Sequence, residues 1–194
     1  MAANPFEIIG VITGVLGVWL TTRQKIWCWP VGIVSVACFV AVFFGAKLYG
    51  AMVLQGVYIF LLAYGWHAWS RGGGGHEALK VTRVRPGLAA ALAAVGAVAS
   101  AAGGLWLGAR TDEALPWLDG FTTSFSLVAQ WMQARKLLEN WLVWVVVDLA
   151  YVGMSLSQGL TLTAGLYAVF IGLALLGFRD WRRSMMRMMS GGRA

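Results

Sequence analysis

Long apolar runs alternate with short polar segments along the whole chain, and this pattern predicts a bundle of membrane-spanning helices. A helix needs about 20 residues to cross the hydrocarbon core of a bilayer, where an open strand or loop would leave backbone groups unpaired. Several runs are a little shorter, which fits helices joined by tight turns. We predict seven spans, at approximately residues 5–22, 27–44, 49–69, 87–107, 117–134, 140–157 and 160–178.

The composition supports a membrane protein and excludes an ordinary soluble domain. Of the 194 residues, 59% are hydrophobic and 12% are charged, whereas soluble domains carry about 25% charged residues. The first residues lack the basic cluster of a signal peptide, so we expect the first apolar run to stay as a helix. The predicted fold class is an all-α integral membrane protein.

The basic residues fall mainly on one side of the predicted membrane. That side holds 13 of the 15 lysines and arginines, and the other side holds only Lys47 and Arg110. Cytoplasmic loops are enriched in basic residues, so the C-terminus is predicted in the cytoplasm and the N-terminus outside. This distribution also explains the net charge of +7 without a nucleic-acid partner.

The chain matches itself without gaps when it is shifted by 112 residues. Tryptophan is rare in most proteins, so aligned tryptophans at one offset indicate two copies of a three-helix unit. The matched pairs include Trp19 with Trp131, Arg23 with Arg135, Trp29 with Trp141, Gly65 with Gly177, and Trp69 with Trp181.

The repeat predicts a 3+1+3 architecture, in which spans 1–3 and 5–7 are the copies and span 4 joins them. An odd number of spans between the copies gives both the same orientation, which is the parallel, SWEET-like arrangement of some transporters. Four consecutive glycines before span 4 predict a flexible linker. The predicted parts are a first bundle at 1–71, a cytoplasmic linker at 72–86, a linker helix at 87–110, a second bundle at 111–183 and a cytoplasmic tail at 184–194.

Asp148 is the most unusual residue, because it lies in the middle of an apolar span with no basic residue within ten positions. A carboxylate in hydrocarbon costs about 2.5–3.5 kcal/mol on insertion scales, so such residues face the protein interior or a wet cavity. Helical spacing places Trp141, Trp144 and Tyr151 on the same face. We interpret this face as a binding surface for a flat or cationic ligand. The alternative is that the acid forms a hydrogen bond within the helix bundle and serves packing.

The two copies differ at this acid, since Val36 takes the position that corresponds to Asp148. Further polar groups lie at depth in other spans: Gln55 with Tyr58 three residues later, Gln130 in a serine- and threonine-rich span, and Asn140 at the mouth of span 6. Amides in hydrocarbon often hydrogen-bond a neighbouring helix, so packing and ligand contact are both open for them.

Other chemistries find little support in the sequence. His67 and His76 have no companion ligands, and Cys28 and Cys38 have no metal-site spacing, so we expect no metal and no cofactor. The glycine run lacks the Lys-Ser/Thr that follows in a phosphate-binding loop. No paired carboxylates or nucleophile–base set is present, so a membrane enzyme is disfavoured. A receptor or a purely structural membrane protein remains a further alternative.

Several of these residues resemble the signature of the Pnu vitamin transporter family, and most closely its PnuC-type nicotinamide riboside transporters. The resemblance covers nearly the whole chain, from Phe6 to Arg183. It rests on the segment 135–144 (RKLLENWLVW) followed by Asp148, and on Leu48-Tyr49, Gln55, Tyr64-Gly65-Trp66 and Trp69 in span 3.

The resemblance implies a facilitator in the bacterial inner membrane, without ATP hydrolysis, whose uptake is made one-way by a cytoplasmic kinase that phosphorylates the vitamin. It also implies a homotrimer. Some relatives carry asparagine in place of Asp148, and members take nicotinamide riboside, thiamine or riboflavin. The residues predicted to bind substrate are Gln55, Tyr58, Gln130, Asn140, Trp141, Trp144, Asp148 and Tyr151.

Nicotinamide riboside is the leading predicted substrate, because its pyridinium ring is a flat cation that suits Asp148 and tryptophan. Its amide and ribose hydroxyls suit the amide side chains. Thiamine is also a flat cation and is the nearest alternative. Riboflavin comes next, because it is larger and neutral and leaves the acid harder to explain.

Overall fold

A computed structural model describes residues 5–45, 47, 49–72, 79–112 and 114–191. These residues form seven helices and no strand, which confirms the predicted all-α fold with seven helices. Large apolar side chains are exposed on every helix, as a lipid environment requires. The helices are α1 (Pro5–Thr22), α2 (Cys28–Gly45), α3 (Tyr49–Arg71), α4 (Pro86–Arg110), α5 (Pro116–Ala134), α6 (Asn140–Ser157) and α7 (Thr161–Gly191).

The helix ends lie within a few residues of the predicted span ends, except at α7. This helix continues to Gly191, well past the predicted span end at residue 178 and into the predicted tail. Five helices are long and apolar enough to cross a membrane by length and composition, namely α1, α2, α4, α6 and α7. The other two, α3 and α5, carry amide and ionisable side chains such as Gln55, Asp119 and Gln130, which lower their hydropathy.

The chain divides into two compact units, Met1–Lys80 and Val81–Ala194. In the first unit α2 packs against both α1 and α3, and in the second α6 packs against both α5 and α7. The second unit also contains α4, which packs closely on α5. A Cβ on Gly120 would overlap the backbone of α4 at Ser100 and Gly104, so glycine permits this close helix approach.

The turns inside the two units match at the 112-residue offset. Gln24 and Lys136 both adopt left-handed backbone conformations, with φ of 54° and 50°. At the next position, Lys25 N–H donates to Leu20 C=O, and Leu137 N–H donates to Met132 C=O, both at 3.0 Å. The later turn matches too, because Lys47 and Gly159 both have positive φ.

A tryptophan pair in each unit repeats the same geometry. Trp29 meets Trp69 edge-to-face at 5.2 Å between ring centroids. Trp141 meets Trp181 in the same way at 5.3 Å.

A glycine lies under each of these pairs, at the matching position. A Cβ on Gly65 would overlap the Trp29 ring, and a Cβ on Gly177 would overlap the Trp141 ring. These contacts support the predicted repeat, while the parallel, SWEET-like relation of the two copies stays a prediction.

The second half of the predicted linker pairs with the second unit, which the sequence pattern did not predict. Thr82 forms a parallel β-bridge to the turn between α5 and α6: its N–H donates to Lys136 C=O at 3.1 Å, and its C=O accepts from Leu138 N–H at 2.8 Å. His76 and the glycines at 73–75 lie outside the described residues.

Glu139 at the start of α6 fixes the same segment through its carboxylate. One oxygen accepts from Arg83 Nε at 3.1 Å, and the other accepts from Val84 N–H at 2.8 Å. Contacts between residues 55 positions apart depend on the tertiary fold, which explains why the local sequence pattern pointed only to a loop. We call residues 81–84 the linker strap.

Candidate substrate-binding site

The second unit holds a row of buried polar side chains along α5. Thr122, Ser126 and Gln130 are spaced by four residues, so they share one face of the helix. All three are buried, and the Gln130 side-chain nitrogen has no hydrogen-bond partner among the described residues. A buried donor without a partner costs about 1–3 kcal/mol, so this face is suited to receive a polar ligand or water.

Trp144 on α6 is oriented by Gln133, which lies about one helical turn beyond Gln130 on α5. Its indole Nε1 donates to Gln133 Oε1 at 3.2 Å. The contact holds the ring, which is half-buried, against the side of α5 that carries Gln130 three residues earlier. Gln133 was not among the residues predicted from the sequence to bind substrate. Its position three residues after Gln130, on the same helix face, was the signal that could have identified it.

Tyr151 lies one helical turn beyond Asp148 on α6, and its ring is sandwiched between α5 and α7. The ring stacks on Tyr167 of α7, with centroids 4.4 Å apart and planes 8° from parallel. Its hydroxyl interacts with Thr122 and Ser126 of α5. In the sequence, Thr122 and Ser126 belong only to a serine- and threonine-rich span, and the contact with Tyr151 gives them a defined partner.

The corresponding region of the first unit lacks the tyrosine and the hydroxyl row, and its buried polar contact is the hydrogen bond from Ser35 Oγ to Gly10 C=O at 2.7 Å. Phe39 takes the place of Tyr151, and its ring packs against Gly10, which takes the place of Thr122. The ring is so close that a Cβ on Gly10 would lie 3.1 Å from it. The contact between the tyrosine hydroxyl and the α5 hydroxyl groups is therefore specific to the second copy of the repeat.

Asp148 lies between Trp144 and Tyr151 on α6 and is only 5% exposed. Within residues 79–112 and 114–191, its carboxylate has no hydrogen-bond or ion-pair partner. The Tyr151 hydroxyl interacts electrostatically with the Asp119 carboxylate of α5 and, more weakly, with Asp148. Because buried charges in proteins are normally paired, this carboxylate is available to a cationic ligand.

Asn140 and Trp141 lie at the start of α6 and are fully packed. Asn140 Nδ2 donates to Leu137 C=O at 2.6 Å, while its Oδ1 is buried without a partner among the described residues. The Trp141 ring is 1% exposed, and its contacts are with Trp181 and Gly177 of α7. Trp29 makes the equivalent contacts in the first unit, which indicates a scaffold role for this tryptophan.

Gln55 and Tyr58 lie on α3 of the first unit, three residues apart and both half-buried. The other six predicted site residues all lie in the second unit, on α5 and α6. No group of three or more metal-ligating side chains occurs in the parts of the chain that the structure describes.

The chain matches the family model described as "Nicotinamide mononucleotide transporter" over residues 4–183. The chain belongs to this family. The membership places the chain among the membrane transporters of the PnuC type and not among enzymes, as the sequence predicted.

Curated relatives within the family differ in the vitamin that their names specify. The chain is 32% identical over 180 residues to the riboflavin/roseoflavin transporter RibM of Streptomyces davaonensis, which covers 90% of this chain and 83% of RibM. It is 28% identical over 203 residues to the nicotinamide riboside transporter PnuC of Escherichia coli, which covers 92% of this chain and 85% of that protein. These matches make the chain a vitamin transporter of the family.

A solved structure shows the same fold. The crystal structure of the vitamin B3 transporter PnuC is similar with a TM-score of 0.74 and 26% identity, and the match covers 94% of this chain and 82% of that chain.

Proposed function

We propose that this chain carries nicotinamide riboside across the bacterial inner membrane by facilitated diffusion. The observation that supports this substrate is the Asp148 carboxylate, which is buried in a membrane helix with no partner among the described residues. A pyridinium cation would neutralise it, and the indole of Trp144 would provide a flat aromatic surface beside it. The relative from Escherichia coli named for nicotinamide riboside supports the same substrate.

The remaining predicted residues would bind the uncharged parts of the ligand or support the residues that do. The buried Gln130 nitrogen can donate to a ribose hydroxyl or to the carboxamide oxygen. We propose that Tyr151 closes one end of the site, while Gln55 and Tyr58 on α3 of the first unit stay substrate-binding residues predicted from the sequence alone. Asn140 and Trp141 would act from the packed start of α6, where they position Trp144 rather than touch the ligand.

Uptake would be made one-way by a cytoplasmic kinase that phosphorylates the vitamin, and the functional unit would be a homotrimer. The N-terminus would lie outside the cell and the C-terminus in the cytoplasm, as the distribution of basic residues predicts. These features rest on the family resemblance and on the charge pattern.

Riboflavin is the second candidate, because RibM is 32% identical to the chain. Its ring system is flat but neutral, so it would use the aromatic side chains and leave the Asp148 charge unmatched. Thiamine, which is also a flat cation, remains the alternative that the chemistry of the site separates least from nicotinamide riboside.

Uptake into proteoliposomes tests this proposal. Purified protein in vesicles without a kinase should equilibrate radiolabelled nicotinamide riboside, and excess unlabelled nicotinamide riboside should inhibit more strongly than thiamine or riboflavin. Transport of riboflavin alone would overturn the substrate and favour the second candidate. Vesicles that take up none of the three would contradict the transport proposal itself.

A further inference from the structure

The end of α7 forms a basic helix that extends past the length needed to cross a membrane. The helix has 31 residues, Thr161–Gly191, and is therefore about 46 Å long at 1.5 Å per residue. The hydrocarbon core of a bilayer is about 30 Å thick, so about the last ten residues reach the headgroup level or beyond. We call Arg179–Gly191 the basic tail helix.

The four arginines of the basic tail helix share one face. Residues 179, 182, 183 and 187 are spaced by three or four positions, and all four are exposed. Arg179 lies 3.6 Å from Asp180, whereas Arg182, Arg183 and Arg187 have no ion-pair partner among the described residues. The basic tail helix therefore carries three guanidinium groups on one face, at the end of α7 that extends past the hydrocarbon core.

The opposite face of the basic tail helix anchors it to the rest of the second unit. Trp181 is fully buried and packs edge-to-face on Trp141 of α6. Met185 follows at the next turn and is half-buried, while Met188 and Met189 are exposed. The arginine face consequently points away from α6, towards the bilayer surface or solvent.

We propose that the arginine face of the basic tail helix binds the phosphodiester headgroups of anionic phospholipids. The argument is charge complementarity: planar guanidinium groups pair with phosphate oxygens in a bidentate way, and anionic lipids attract juxtamembrane clusters of basic residues. The alternative is that these arginines serve only as a positive-inside topology signal. Such a signal requires only the charges and predicts no preference among bound lipids.

Native mass spectrometry of the purified full-length protein tests this inference. Phosphatidylglycerol and phosphatidylcholine would be titrated into the wild-type protein and into the triple variant Arg182→Gln/Arg183→Gln/Arg187→Gln. Arg110→Gln is the matched control, because Arg110 is an exposed arginine at the end of another helix. We expect at least a fivefold preference of the wild type for phosphatidylglycerol, retained in the control and lost in the triple variant.

Equal binding of the two lipids to the wild type, or an unchanged preference in the triple variant, would overturn the proposal. Displacement of phosphatidylglycerol by millimolar inorganic phosphate would also contradict it, since the site would then recognise a free anion. If the triple variant does not fold, the single variants Arg182→Gln and Arg187→Gln replace it, and each should reduce the preference by at least a third.

Discussion

At the scale of single residues, a comparison of the two copies of the repeat shows which residues the shared scaffold needs and which belong to one copy only. Asp148 and Val36 correspond at the 112-residue offset, and only the second copy carries a charge. The acid lies in a membrane helix and is 5% exposed, with no partner among the described residues. Such a group lowers the stability of the protein without ligand, so its presence points to a role in binding.

Replacement of Asp148 should therefore stabilise the ligand-free protein. We expect Asp148→Asn to raise the free energy of unfolding by about 1–3 kcal/mol, because the burial cost of the charge disappears. Thermal unfolding in detergent without ligand measures this change. Val36→Asp is the reciprocal control and should lower stability. A less stable Asp148→Asn protein would show that the carboxylate is part of the scaffold.

The Tyr151 hydroxyl should contribute a measurable polar interaction with α5. In a double-mutant cycle of Tyr151→Phe and Thr122→Val, we expect a coupling free energy of about 0.5–1.5 kcal/mol, which is typical of a net hydrogen-bond contribution. The measurement is thermal unfolding of the four proteins in one detergent. Additive effects of the two substitutions would mean that the hydroxyl does not hold Thr122.

At the scale of elements, each unit is held by the same tryptophan–glycine contact between its second and third repeat helices. A methyl group on either glycine would overlap a fully buried indole ring. Overpacking a dense core in this way costs about 1–3 kcal/mol. Both copies of the repeat retain this contact, whereas the candidate substrate-binding residues on α5 and α6 other than Trp141 are not repeated in the first copy.

Gly65→Ala and Gly177→Ala should destabilise the protein by similar amounts, about 1–3 kcal/mol each. The matched controls are Gly56→Ala and Gly172→Ala on the same two helices, where nothing lies within 4 Å of an added Cβ. Those controls should be neutral or stabilising, because alanine favours helix over glycine. Thermal unfolding in detergent checks all four. Equal effects of the test and control substitutions would contradict the proposed packing.

The elements were largely predictable from the sequence, because in a membrane protein the apolar runs alone define the helices. The ends of α1 and α6 coincide with the predicted ends of spans 1 and 6. The extension of α7 was missed, since its arginines end the apolar run, although arginine and methionine both favour helix. The linker strap was missed because its bridge to the α5–α6 turn depends on tertiary structure.

The candidate site was only partly predictable. Asp148 could be identified because a charge in an apolar run is a local signal. The hydrogen bond from Trp144 to Gln133 and the stacking of Tyr151 on Tyr167 required knowledge of which helices pack together. Helical spacing also put Trp141 on the same face as Asp148. In the structure, its ring packs against α7.

At the scale of the whole molecule, a facilitator should not depend on an ion gradient. In proteoliposomes, we expect a protonophore to leave the initial rate and the final extent of nicotinamide riboside equilibration unchanged within error. A proton-coupled carrier would instead lose accumulation above the external concentration. Inhibition of equilibration by the protonophore, with intact vesicles shown by a trapped dye, would contradict facilitated diffusion.

The central claim is that the Asp148 charge selects a cationic ligand, and a pair of ligands tests it most directly. Oxidised nicotinamide riboside carries a pyridinium cation, whereas its reduced dihydropyridine form is neutral and nearly the same shape. Calorimetric titration of both forms should show at least tenfold tighter binding of the cation by the wild type, about 1.4 kcal/mol. Asp148→Asn should remove that preference. An equal preference in both proteins, or none in the wild type, would contradict the claim.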